Sequence, residues 1–92
     1  MELGMIGLGR MGSNMVARIE AAGHRCVVFD QSTDAVAASV AEGALGAESL
    51  ADLASKLTAP RSVWVMVPAG VTAAVITELS EHLEPGDTII RQ

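Results

Sequence analysis

The sequence predicts an α/β domain built on a doubly wound parallel sheet, and three observations point there. Short apolar runs alternate with stretches of helical periodicity along all 92 residues, the pattern of right-handed βαβ units. No two apolar runs are joined by a short turn, so the hairpins of an antiparallel sheet are excluded. A glycine-rich stretch also separates the first apolar run from the first helix. The length suits one domain over 1–92, with no repeat, linker or low-complexity tract to divide it.

Leu3, Met5, Ile6 and Leu8 suit a short strand buried on both faces. From Arg10 the period becomes helical, through Met11, Met15, Ile19 and Ala22, until Gly23 ends the run. The stretch CVVFD over 26–30 is a second strand, and Ser32 or Thr33 caps a helix carrying Val36, Ala37, Val40 and Ala41 up to Gly43. Residues 44–47 read as a loop or a very short edge strand. Ser49 with Asp52 resembles a capping arrangement for a helix over 50–57, which Pro60 closes. SVWVMV over 62–67 is the clearest strand, ended by Pro68 and Gly70. Val71, Val75, Ile76, Leu79 and Leu83 mark a further amphipathic helix, and the turn Pro85-Gly86-Asp87 leads into a last strand.

Half the residues are apolar but the aromatics are Phe29 and Trp64, so the core must be aliphatic. Trp64 reads as core or as a contact for further chain. Met5, Met11, Met15 and Met66 read as core filler. A net charge of −5 with no run of Lys or Arg argues against a nucleic-acid or anionic-membrane surface. The most apolar stretch, 63–76, contains Pro68, Gly70 and Thr72 and is too short to span a bilayer. At the start, Glu2 is acidic and no basic n-region precedes the apolar residues, so a signal peptide is not expected and a soluble, cytoplasmic domain is. The lone Cys26 allows no intrachain disulfide and suits a small buried strand residue in a reducing interior. His24 and His82 have no partner at metal-ligand spacing, and no metal site is expected. Glu78, Glu81, Glu84 and Asp87 read as a solvated face, and Lys56 falls in a peripheral helix.

The glycines need a reason, since each costs roughly 0.5–1 kcal/mol inside regular structure. Gly7, Gly9 and Gly12 form a G-x-G-x-x-G pattern between the first strand and the first helix, where a dinucleotide-binding fold places one. Gly7 permits the tight turn, Gly9 lets a pyrophosphate approach the backbone, and Gly12 lets the helix pack hard on the sheet. The first amides of that helix lack acceptors and carry the positive end of its dipole. Amides of 8–12 thus supply the donors that the acidic bulk composition lacks, and Arg10 either adds charge or is simply solvated. Asp30 lies eighteen residues beyond Gly12 at the end of the second strand, near the ~20 expected of a ribose-binding carboxylate. It repels a 2′-phosphate, and Gln31, Ser32 and Thr33 offer no cation, so NAD is preferred and NADP remains possible. The turn of Val67, Pro68, Ala69 and Gly70 emerges at the same carboxyl edge of the sheet.

Together MIGLGRMGSNMV, VVFD, PRSVWVMVPAG and LEPGDTII resemble the cofactor domain of decarboxylating 6-phosphogluconate dehydrogenases, in the shorter bacterial form that is often NAD-preferring. The resemblance covers essentially the whole chain. It implies a Rossmann-like sheet of strand order 3-2-1-4-5, with 44–47 holding the edge strand. It implies that Gly7, Leu8, Gly9, Arg10, Met11 and Gly12 cradle the pyrophosphate. Asp30, Gln31 and Ser32 would hold the adenosine ribose, and Val67, Pro68 and Ala69 would run toward the nicotinamide. It further implies a homo-oligomeric parent that oxidises and decarboxylates 6-phosphogluconate in the pentose phosphate pathway. The family continues with Asp-Gly-Gly-Asn-Ser where this sequence reads Arg91-Gln92, and its catalytic lysine and glutamate and its helical domain have no counterpart here. No catalytic residue is therefore expected within these residues, and the chain is expected to be inactive alone. The alternatives are a 3-hydroxyisobutyrate-type β-hydroxyacid dehydrogenase, an imine reductase, or a non-enzymatic NAD-sensing module.

Overall fold

A computed structural model of the chain describes residues 1–91, so the departure at Arg91-Gln92 is described only as far as Arg91. Its elements run β1 (Glu2–Ile6), α1 (Arg10–Ala21), β2 (Arg25–Phe29), α2 (Thr33–Ala41), β3 (Leu45–Gly46), α3 (Leu50–Ser55), β4 (Ser62–Val65), α4 (Ala69–Ser80) and β5 (Thr88–Arg91). The five strands pair in parallel in the order β3-β2-β1-β4-β5, the expected Rossmann-like sheet. Each strand sends alternate side chains to opposite faces, and each face carries its own core. Ile6, Val27, Val63 and Val65 meet Leu50, Leu53 and Leu79 of α3 and α4. Met5, Cys26 and Val28 meet Val16, Met15 and Ile19 of α1. Full burial of a side chain such as Leu53 or Leu79 contributes ~1.5–3 kcal/mol.

Local chemistry sets the element ends. The Ser32 hydroxyl accepts the Ala35 N–H at 3.2 Å and caps α2. The 44–47 segment contributes a two-residue edge strand. β4 stops at Val65 rather than 67, although the Met66 N–H still reaches the Ile6 carbonyl at 2.7 Å. The helix expected over 50–57 ends at Ser55, with Lys56 as its C-cap. Cys26 is buried, and burial with the nearby Glu20 carboxylate pushes its thiol up to about 11, so it stays protonated.

Asp87 departs from the solvated face expected of it. Its carboxylate accepts the Arg61 N–H at 2.6 Å, the Arg61 guanidinium at 2.9 Å and the Glu84 N–H at 2.8 Å. Arg61 also donates through Nε to the Ala54 carbonyl at 2.9 Å. One ion pair thus ties α3, the start of β4 and the turn before β5. These donors, the Arg61 amide foremost, hold the Asp87 carboxyl below the ordinary aspartate range. Stability from this carboxylate is therefore complete above the ordinary value of about 3.9 and is lost as pH falls through the depressed folded value. In urea unfolding at about pH 7 and about pH 3, the wild type weakens on acidification. Asp87→Asn lowers the neutral-pH midpoint and narrows the difference between the two pH values.

Candidate functional site

The carboxyl ends of β1, β2 and β4 open onto a cleft of about 890 Å³, within the size range of small-molecule sites. It lies where the chain crosses from one side of β1 to the other, the switch point at which such sheets bind ligands. Gly7, Gly9 and Met11 line one wall, Phe29, Asp30 and Gln31 a second, and Met66, Val67 and Pro68 a third. Glu48, Ser49 and Leu50 before and within α3, and Val71, Val75 and Glu78 on one face of α4, complete it.

The glycine turn is fixed sterically. Gly7 has φ +98°, and a Cβ there would stand 2.5 Å from the Met66 carbonyl oxygen. A Cβ on Gly12 would overlap the Gly7 carbonyl oxygen. Gly9 differs, since a Cβ there would meet nothing within 4 Å; it faces the cleft. Gly9 is the N-cap of α1, no side chain caps this helix end and no acidic residue lies in its first turn. The Ser13 N–H to the Gly9 carbonyl, at 2.9 Å, is the bond that follows this cap. The amides of Arg10, Met11 and Gly12 precede it and have no intrahelical acceptor. They sit at the positive end of the dipole, an arrangement suited to an anion.

The Leu8 amide is not among these donors. It is held at 2.7 Å by Asp30 Oδ2, while Asp30 Oδ1 takes the Ser32 N–H at 2.8 Å. The Leu8 side chain is buried in the α1-side core, and the Ser13 hydroxyl donates to the Leu8 carbonyl at 2.8 Å. Asp30 therefore has a structural duty beside any ligand contact, with lone pairs left on both oxygens.

Of the residues singled out by sequence, Gly7, Gly9, Met11, Asp30, Gln31, Val67 and Pro68 line the cleft. Leu8 and Gly12 are buried behind the turn, and Arg10, Ser32 and Ala69 are exposed beside it. Met11 is not core filler: it is 59% exposed at the cleft, as Val71 is at 47%. Glu48, Ser49, Leu50 and Glu78 were not read as site residues. Glu78 shares a helix face with Val71 and Val75 by i+4 and i+3 spacing, a signal the sequence carries, whereas Glu48 follows a strand of only two residues. Among the described residues no group of three or more His, Cys, Asp or Glu is placed to hold a metal, and no helix is long and apolar enough to cross a membrane.

A glycine-turned, uncapped helix end over a parallel sheet, faced by a carboxylate from β2, defines the class: a dinucleotide-binding α/β domain. The family model for the NAD-binding domain of 6-phosphogluconate dehydrogenase matches residues 2–92, and the chain belongs to that family. It is 46% identical over 91 residues to an NAD(+)-dependent, decarboxylating 6-phosphogluconate dehydrogenase of Haloferax volcanii, covering 98% of this chain and 30% of that one. To the decarboxylating 6-phosphogluconate dehydrogenase of Haemophilus influenzae it is 40% identical over 95 residues, covering 97% and 20%. The solved 3-hydroxyisobutyrate dehydrogenase of Mycobacterium tuberculosis superposes with a TM-score of 0.87 at 26% identity, over 98% of this chain and 30% of that one. The chain thus spans less than a third of the length of these relatives.

The three glycines should separate by stability. Gly7→Ala and Gly12→Ala lower unfolding free energy by roughly 2–4 kcal/mol, through backbone overlap. Gly9→Ala stays within ~1 kcal/mol of wild type. Urea denaturation of the three variants checks the order.

Proposed function

We propose that this chain is the cofactor domain of an NAD-preferring, decarboxylating 6-phosphogluconate dehydrogenase. The parent reaction would convert 6-phosphogluconate and NAD to ribulose 5-phosphate, carbon dioxide and NADH in the pentose phosphate pathway. The observation that carries this reading is the uncapped end of α1 behind a turn whose Gly7 and Gly12 tolerate no side chain. Sequence identity of 40–46% to 6-phosphogluconate dehydrogenases, against 26% to the 3-hydroxyisobutyrate enzyme, favours the first substrate class.

In this reading the amides of Arg10, Met11 and Gly12 hold the pyrophosphate over Gly9, and Leu8 backs the turn. Asp30, with Gln31 and Ser32 beside it, accepts the ribose hydroxyls. Val67, Pro68 and Ala69 guide the remaining half toward the substrate. When bound, the nicotinamide takes the hydride from the hydroxyl-bearing carbon of the substrate. That hydroxyl needs a base for its proton. The single lysine, Lys56, is committed to Asp52 at 3.1 Å and to the Gly46 carbonyl at 2.8 Å, and does not line the cleft. We therefore assign the base, the sugar-phosphate contacts and the homo-oligomer contacts to the rest of a longer parent, and expect no turnover from this chain alone. A reducing, cytoplasmic setting accords with its free, protonated cysteine.

NAD over NADP is supported by the Asp30 carboxylate and by the lack of any Lys, Arg or His lining the cleft among the described residues. Calorimetric titration tests both parts. The chain binds NAD more tightly than NADP, and Gly9→Ala weakens binding at least about ten-fold while keeping its fold. Gln31→Arg, which leaves the Asp30 hydrogen bonds in place, moves preference toward NADP about ten-fold. No heat from either dinucleotide at roughly 10 mM would contradict the proposal.

A further inference from the structure

We infer that Glu48 is a specificity-determining residue, a second carboxylate acting with Asp30 to reject ribose 2′-phosphates; this rests on the dinucleotide reading above. Beside the main cleft lies a smaller hollow of about 410 Å³, walled by Thr33 and Val36 of α2 and by Ala47. Phe29, Asp30 and Glu48 line both spaces, so the two acidic residues border the main cleft and the hollow alike. A phosphate at the ribose 2′ position cannot share the place of a carboxylate that bonds the ribose. The room beside it is this hollow, and there it faces Glu48. Among the described residues no Lys, Arg or His lines either space to offset the repulsion.

Glu48 is also held in register. Its N–H donates to Asp52 Oδ2 at 2.9 Å, and the Asp52 N–H donates to the Ser49 hydroxyl at 3.0 Å. Lys56 bonds both Asp52 and the Gly46 carbonyl, so the strand end and the helix start are tied together. The Glu48 amide and Lys56 hold the Asp52 carboxyl below its ordinary range, as hydrogen bonds to the charged form do. The positive charge of Lys56 is thereby spent on Asp52, while the Glu48 carboxylate makes no hydrogen bond or ion pair among the described residues. Glu48 is exposed and lines both spaces.

The test is calorimetric titration of the chain with NAD and with NADP, for wild type, Glu48→Gln, Glu48→Lys and, as a control, Glu42→Gln. Glu42 is exposed at the far end of α2 and lines neither space, so its variant carries the same net charge as Glu48→Gln. At ~20 mM salt the NADP-to-NAD affinity ratio rises about three-fold for Glu48→Gln and about ten-fold for Glu48→Lys, and stays within about two-fold for Glu42→Gln. At ~500 mM salt the gains shrink, as a screened charge effect requires. A ratio unmoved in Glu48→Lys, with wild type still binding NAD, overturns the role of Glu48 and leaves the dinucleotide reading standing. A Glu42→Gln gain equal to that of Glu48→Gln overturns it too, by showing a bulk-charge effect. Wild type that binds neither dinucleotide overturns both.

Discussion

Two loops are locked together by one carboxylate. Asp30 takes the Leu8 amide on one oxygen and the Ser32 amide on the other, joining the β1–α1 turn to the β2–α2 turn. Gly7 is pressed against the Met66 carbonyl from the other side, and Gly12 against Gly7 itself. The turn is held between these walls, which fixes the start of α1 beside the cleft before any ligand arrives. Such preorganisation keeps the ordering cost of binding low. The junction stands at the switch point that the strand order creates, and Asp30 also lines the hollow beside it.

Bulk charge and local charge point in opposite directions here. The molecule carries −5 overall, which disfavours anions at long range, yet the anion seat proposed at the start of α1 needs no basic side chain. Backbone amides and a helix dipole suffice over a few ångströms, where they outweigh a screened distant field. The division has a functional sense. On the proposed reading, donors for a diphosphate sit at the glycine turn, and acidic residues stand at the ribose end, where a further phosphate would have to fit. The fold supplies recognition, and one scaffold of this kind serves enzymes of different chemistry, as the superposition on 3-hydroxyisobutyrate dehydrogenase illustrates.

What could be read from the sequence was the periodic part. The alternation of strands and helices, the parallel sheet and its order followed from apolar spacing and from a resemblance carried by the glycines, Asp30 and the strand at 62–67. The Met11 side chain reads as core, and Val71 as one stripe of an amphipathic helix, because apolar residues lining a cleft recur with the same helical spacing as core residues; only the resemblance places Met11 at the site. Asp87 was read with its neighbours as solvated because its partner, Arg61, is brought beside it only by the parallel pairing of β4 with β5. Glu48 follows a strand of two residues, too short to announce a carboxyl edge. The second duty of Asp30 was hidden for the same reason as Asp87: its bond to Leu8 joins residues 22 apart.

If unpaired amides at the start of α1 form the anion seat, amide-resolved NMR titration of the ¹⁵N-labelled chain with NAD will find them. Arg10, Met11 and Gly12 are expected to show the largest shifts, Asp30 and Gln31 to follow, and β5 to stay unmoved. Saturable shifts that leave the Arg10, Met11 and Gly12 amides untouched would contradict this placing of the anion seat.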